Sequence, residues 1–134
     1  MASDGCSECG YNFEWNRTKL VARCDGFPVV LKNMLAADAD CVRRRPAAEV
    51  WAPIEYAAHV GEAVGWYAGR IRRVLDEDHP QLESFDFDAA AEKGEYLHRS
   101  VSEVVADVRT AYREVADIAR TVSGNQSCLG QQAG

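Results

Sequence analysis

The sequence predicts an all-α fold, and three observations carry that expectation. Apolar residues recur at three- and four-residue steps in three separate stretches. No stretch of comparable length alternates apolar with polar residues, as a half-buried strand would. The intervening segments hold Pro, Asp and Glu, residues that end or separate helices. A chain of 134 residues suits one domain with one core. With 47% hydrophobic and 27% charged residues, its composition is that of a globular protein rather than a disordered one.

Residues 16–37 read as the first helix. Leu20, Cys24, Phe27, Leu31 and Leu35 form one apolar stripe. Pro28 lies inside it, near Gly26, so a kink or two short helices are expected there. Residues 38–50 read as a loop, with Asp38, Asp40, the run Arg43-Arg44-Arg45 and Pro46. A second helix starts near Pro53, a residue suited to a first helical turn, and runs to about Glu77. Its apolar positions include the small residues Ala57, Ala58, Gly61, Gly65 and Ala68, which let a neighbouring helix approach closely. His79-Pro80 ends it.

Residues 80–99 are acidic and aromatic, with one short helix expected over 88–96 and with Phe85 and Phe87 packed on the helices. The last helix has the clearest start. Ser100-Val101-Ser102-Glu103 fits a capping box, and Val101, Val104, Val105, Val108, Tyr112, Val115, Ile118 and Val122 continue as a stripe. Valine favours strands mildly, but the four-residue spacing outweighs that preference. From Ser123 onward Leu129 is the one large aliphatic residue, too little to offset the entropy of ordering. The chain thus divides into a Cys-x-x-Cys lead at 1–15, a helical domain at 16–122 and a flexible tail at 123–134. The domain reads as an up-and-down bundle of three main helices, the fourth missing or replaced by a short linker helix.

A net charge of −6 argues against a nucleic-acid surface, which needs clustered Lys and Arg. No stretch approaches the roughly 20 apolar residues that span a bilayer, and Met1–Gly10 has no apolar leader core. A cytoplasmic chain is expected. There Cys6, Cys9, Cys24, Cys41 and Cys128 would be thiols or metal ligands rather than a disulfide framework.

Two constellations can carry chemistry. Glu55 and His59, four residues apart, share one side of the second helix, and Glu62 and Trp66 continue it. This side lies opposite the Ile54/Ala58/Ala68 face, so His59 is either solvated or faces a second surface. A neutral imidazole there can ligate zinc or nickel with support from Glu55 or Glu62; the plainer reading is a surface histidine beside a glutamate. Cys6-Ser7-Glu8-Cys9-Gly10 is half of a zinc knuckle, since two thiolates at that spacing share one tetrahedral ion. Its plainer reading is two free thiols. His79 reads as a helix-end residue and His98 as a surface residue. Tyr56, Trp66 and Tyr67 read as packing residues.

Trp51-Ala52-Pro53-Ile54-Glu55-Tyr56-Ala57-Ala58-His59-Val60-Gly61-Glu62, followed by Arg70, Arg72 and Arg73, resembles the second-helix signature of the DinB/YfiT-like family. Asp76-Glu77-Asp78-His79-Pro80 and Phe85-Asp86-Phe87-Asp88 resemble the loop after it, and Cys6–Gly10 resembles the lead of a cysteine-pair subgroup. The resemblance spans about residues 5–122. It implies a four-helix bundle, a homodimer, and in many members a divalent metal held by three histidines. In some related members that metal activates a low-molecular-weight thiol, mycothiol or bacillithiol, for transferase or isomerase chemistry. His59 matches the first of those histidines. The other two belong to a His-x-x-x-His-like motif on the last helix, and this sequence has a Gly/Gln tail where that helix should follow. The resemblance therefore implies a degenerate or truncated relative of metal- and thiol-dependent transferases. The competing expectations are a non-catalytic dimerisation or interaction domain and a small protein stabilised by zinc at Cys6 and Cys9.

Overall fold

A computed structural model describes residues 5–10 and 16–122, and among them the regular structure is helical. Helix α1 spans Arg17–Leu35, α2 Ala39–Val42, α3 Pro53–Asp76, α4 Phe87–Gly94 and α5 Val101–Thr121, with a single 3₁₀ turn at Tyr96–His98. The tail expected at 123–134 lies outside the described residues.

Helices α1 and α5 start on residues whose side chains satisfy first-turn N–H groups, whereas α3 has no side-chain cap and opens on a proline. The Asn16 side chain accepts from the Lys19 N–H at 2.8 Å, and the Ser100 hydroxyl from the Glu103 N–H at 3.1 Å. Pro53 opens α3, and the Glu55 carboxylate reaches back to the Ala52 N–H at 2.8 Å. Helix α1 runs unbroken through Pro28, so the alternative of two short helices is corrected. Proline costs the helix one hydrogen bond; its ring is buried beside α5, and that contact offsets part of the loss.

The loop expected at 38–50 is corrected too. The Asp38 carboxylate accepts from the Asp40 and Cys41 N–H groups and so starts α2, a single turn that buries Val42. The chain then doubles back through a short pairing of Ala47 with Val50. The helix expected at 88–96 forms over 87–94 and stops at Glu95, which adopts a left-handed φ of 46°.

Helix α5 packs along both α3 and α1, while α1 and α3 scarcely touch each other. The core is Ile54, Ala57 and Ala58 of α3 against Val104, Val105 and Val108 of α5, with Leu35, Val42 and Tyr96 closing one end. At Gly61 the two helices are so close that a Cβ would lie 3.2 Å from Val108 Cγ2 and 3.3 Å from the Val108 nitrogen. The small residues of α3 are thus what lets α5 approach.

Candidate functional site

Glu55, His59 and Glu62 do lie along one side of α3, but each is engaged differently. Glu55 is buried, 4% exposed. Arg45 grips its carboxylate with both forks, Nε at 2.8 Å and Nη2 at 2.5 Å, and the Ala52 N–H completes the set. The Arg45 hydrogen bonds hold the Glu55 carboxyl below its ordinary pKa, outweighing the cost of burial. Glu62 accepts the hydroxyl of Tyr96. Burial, followed by that contact with a carboxylate, pushes the Tyr96 phenol well above its ordinary value.

His59 sits in a box of rings. Trp51 meets it edge-on at 5.6 Å between centroids, and Phe87 at 5.3 Å. Phe87 arrives on the segment after α3. That segment folds back so that Phe85 packs on Trp66 at 5.4 Å and Phe87 on Phe85 at 4.7 Å, while the Arg70 guanidinium caps the Trp66 ring at 4.5 Å. The expected packing of Phe85 and Phe87 on the helices is therefore present. The Nδ1 atom of His59 is buried and has no hydrogen-bond partner among the described residues.

Of the two carboxylates suggested as support for a metal at His59, Glu55 is hydrogen-bonded by Arg45 and the Ala52 N–H, and Glu62 accepts from Tyr96 through one oxygen. Among the described residues no three His, Cys, Asp or Glu side chains are grouped to hold an ion. Sequence reasoning took Arg45 as part of a basic run and Tyr96 as the end of a short helix. Nothing in the spacing shows that they clasp Glu55 and Glu62 from 10 and 34 residues away. Beside Glu62 a polar cleft of about 530 Å³ runs between α3 and α5, with Arg99 bound to Asp107 at 2.6 Å on its wall.

His79 is exposed and pairs with Asp78 at 2.6 Å, and its φ of 47° marks the turn after α3. His98 is exposed at the end of the 3₁₀ turn. Cys24 is buried between α1 and α5, and burial pushes its thiol up; the Cys41 thiol is raised by its contact with Asp38. The Cys6–Gly10 segment forms a compact turn in which the Gly10 N–H donates to the Cys6 carbonyl at 2.9 Å. Comparison with protein-family models, curated proteins and solved structures finds no match to this chain.

On the side of α3 next to His59 lies an apolar row of the opposite character. Tyr56, Val60, Tyr67, Ile71 and Val74 follow helical spacing, and four of the five are exposed, Val74 at 53%. On α1, Val30 and the 67% exposed Met34 form a second row one turn apart. Between the two helices is an apolar cavity of about 410 Å³ whose walls include Leu31, Met34, Leu35, Val42, Tyr56 and Val60.

Proposed function

We propose that this chain is a DinB-like helical domain that works by association: a relative of metal- and thiol-dependent transferases whose α1/α3 face receives a second copy. The observation that carries this reading is the open face between α1 and α3. Both helices pack on α5 and leave their remaining apolar rows uncovered. In water such rows are stabilised by burial, at about 25 cal/mol per Å² of apolar surface removed. A two-fold pairing sets the α1 row of one copy against the α3 row of the other and builds a bundle of helices across the interface. The seam on α3 steps by four and three residues, the spacing at which helices interlock side chains.

Sedimentation velocity at micromolar concentration tests this. The expected result is a dimer that Met34→Glu with Ile71→Glu converts to a monomer without loss of helical signal or melting cooperativity. A parent chain that sediments as a monomer over that range overturns the proposal.

A further inference from the structure

The cavity between α1 and α3 has an apolar floor, an open side and a single charged corner. Leu35, Val42 and Ala57 line it and are buried, whereas Met34 and Tyr56 line it and are exposed. Among the described residues Asp38 is the one charged group on its wall. Backbone donors fix the Asp38 carboxylate there: it accepts from the Asp40 N–H at 2.9 Å and the Cys41 N–H at 3.3 Å as it starts α2. No Lys, Arg or His pairs with it among the described residues. Asp40 and Arg44 act on the neighbouring Cys41 thiol with opposite sign and offset each other, so Asp38 sets the charge of this corner.

An unfilled apolar cavity is a cost to the fold. Its walls lack dispersion partners on one side, and water inside it finds few groups to bond. Its volume of about 410 Å³ falls within the span of small-molecule pockets, about 300–1,000 Å³. An apolar cavity of about 150 Å³ holds benzene, so by proportion this one has room for roughly sixteen carbons, and a body of about ten fits with its open side to spare. The charge then selects among apolar ligands. Asp38 repels a carboxylate head and is indifferent to the charge of a hydroxyl, whereas an ammonium gains an ion pair and donates hydrogen bonds to it.

We infer that this cavity binds an amphiphilic amine, its aliphatic or aromatic body against Leu35, Val42 and Ala57 and its ammonium at Asp38. The inference goes beyond the pairing of copies proposed above and does not rest on it. Pairing buries exposed rows, and Ile71 in those rows lies outside the cavity, whereas the ligand reaches the buried floor.

The test is calorimetric titration of the full chain with decylamine, decanol and decanoate, one tail with three heads, each below its micelle concentration. The expected result is one decylamine per chain, bound about 5-fold more tightly than decanol, with decanoate weakest; the ratio is modest because Asp38 is exposed. Asp38→Asn keeps a side-chain oxygen to cap α2 and removes the charge, so in it decylamine and decanol should bind alike. Val60→Trp, which fills the cavity from α3, should weaken both about 10-fold or more while far-ultraviolet circular dichroism stays unchanged. Ile71→Glu should leave every affinity at the parent's value, whether or not the parent pairs. The inference is overturned if decylamine does not bind at millimolar concentration, if the parent binds decylamine and decanol equally, or if the preference for the amine survives in Asp38→Asn. Undiminished binding by a folded Val60→Trp also overturns it. So does tighter binding by Ile71→Glu than by the parent, the sign that a second copy fills the cavity.

Discussion

Helix α3 carries glycine at 61, 65 and 69, and the structure assigns these positions different consequences on substitution. Replacing glycine by alanine inside a helix gains about 1 kcal/mol from propensity at any of them. At Gly69 nothing lies within 4 Å of the new Cβ, so the full gain should appear. At Gly61 the new atom meets Val108 Cγ2 at 3.2 Å and the Val108 nitrogen at 3.3 Å. A backbone nitrogen has no rotamer to yield, and Val108 is completely buried, so the α3–α5 crossing itself must widen. Overpacking of that kind costs about 1–3 kcal/mol. Gly61→Ala should therefore lie about 1–3 kcal/mol below Gly69→Ala in stability, since propensity cancels between them. Urea unfolding of the two variants, followed by circular dichroism, measures the difference directly. Equal upward shifts of the two midpoints would refute the claim that the helices touch at Gly61, and with it the account of α3 as the surface on which α5 lies.

The buried pair at Glu55 gives an acid-sensitive contribution. Its folded pKa is depressed, so the stabilisation is complete above the ordinary value of 4.5 and fades as pH falls through the lower folded value. Glu55→Gln should cost about 2 kcal/mol at neutral pH and flatten the melting-temperature profile in that acid window; an unchanged profile refutes the pairing. Tyr96 is displaced the other way. Its phenol should stay protonated in the native state above pH 10.0, where stability should fall as the unfolded chain ionises. Tyr96→Phe should remove one late-titrating phenol from the absorbance curve, and a curve identical to the parent's counts against the Glu62 contact. At His59 the buried, unpartnered Nδ1 is a standing cost. His59→Phe, between Trp51 and Phe87, should stabilise the fold by about 1 kcal/mol in thermal melts; a loss of that size would show that the nitrogen has a partner worth keeping.

Much of the fold is legible in the residues because helical periodicity is a local property. Pro53 and the small residues after it place α3 to within a residue of its observed ends, and Ser100 places the start of α5. Helix α2 is not legible in the same way. Four residues are too few to show a period, and its cause is a single carboxylate, Asp38, capping the turn. Pro28 misleads for a different reason: the rule that proline breaks helices omits what burial against α5 returns. The site is less legible still. The sequence puts Glu55, His59 and Glu62 on one face correctly, but what each meets is decided by Arg45, Tyr96, Trp51 and Phe87. All four arrive from turns and linkers, where no period connects them to α3. The Cys-x-x-Cys-Gly spacing is visible by eye, whereas the turn closed by the Gly10 N–H on the Cys6 carbonyl is a matter of backbone angles.

Helix α3 answers three demands around its circumference. One face is stripped to alanine and glycine so that α5 can lie against it. A second, with Glu55, His59, Glu62 and Trp66, is covered by the segments before and after the helix, whose rings Trp51 and Phe87 meet His59 edge-on. The third carries Tyr56, Val60, Tyr67, Ile71 and Val74, all exposed but Val60, with the Trp51 and Phe87 rings and Leu82 at its borders. Single apolar residues on a surface are ordinary, but rows on two neighbouring helices flanking an apolar cavity form a contiguous patch of the kind that marks an interface. At 100° per residue His59 stands about 60° round the helix from Tyr56, on the border between the second face and the third. Under the proposed pairing, a copy seated on the apolar row would reach the rim of the aromatic box, and the imidazole would stand at the edge of that interface.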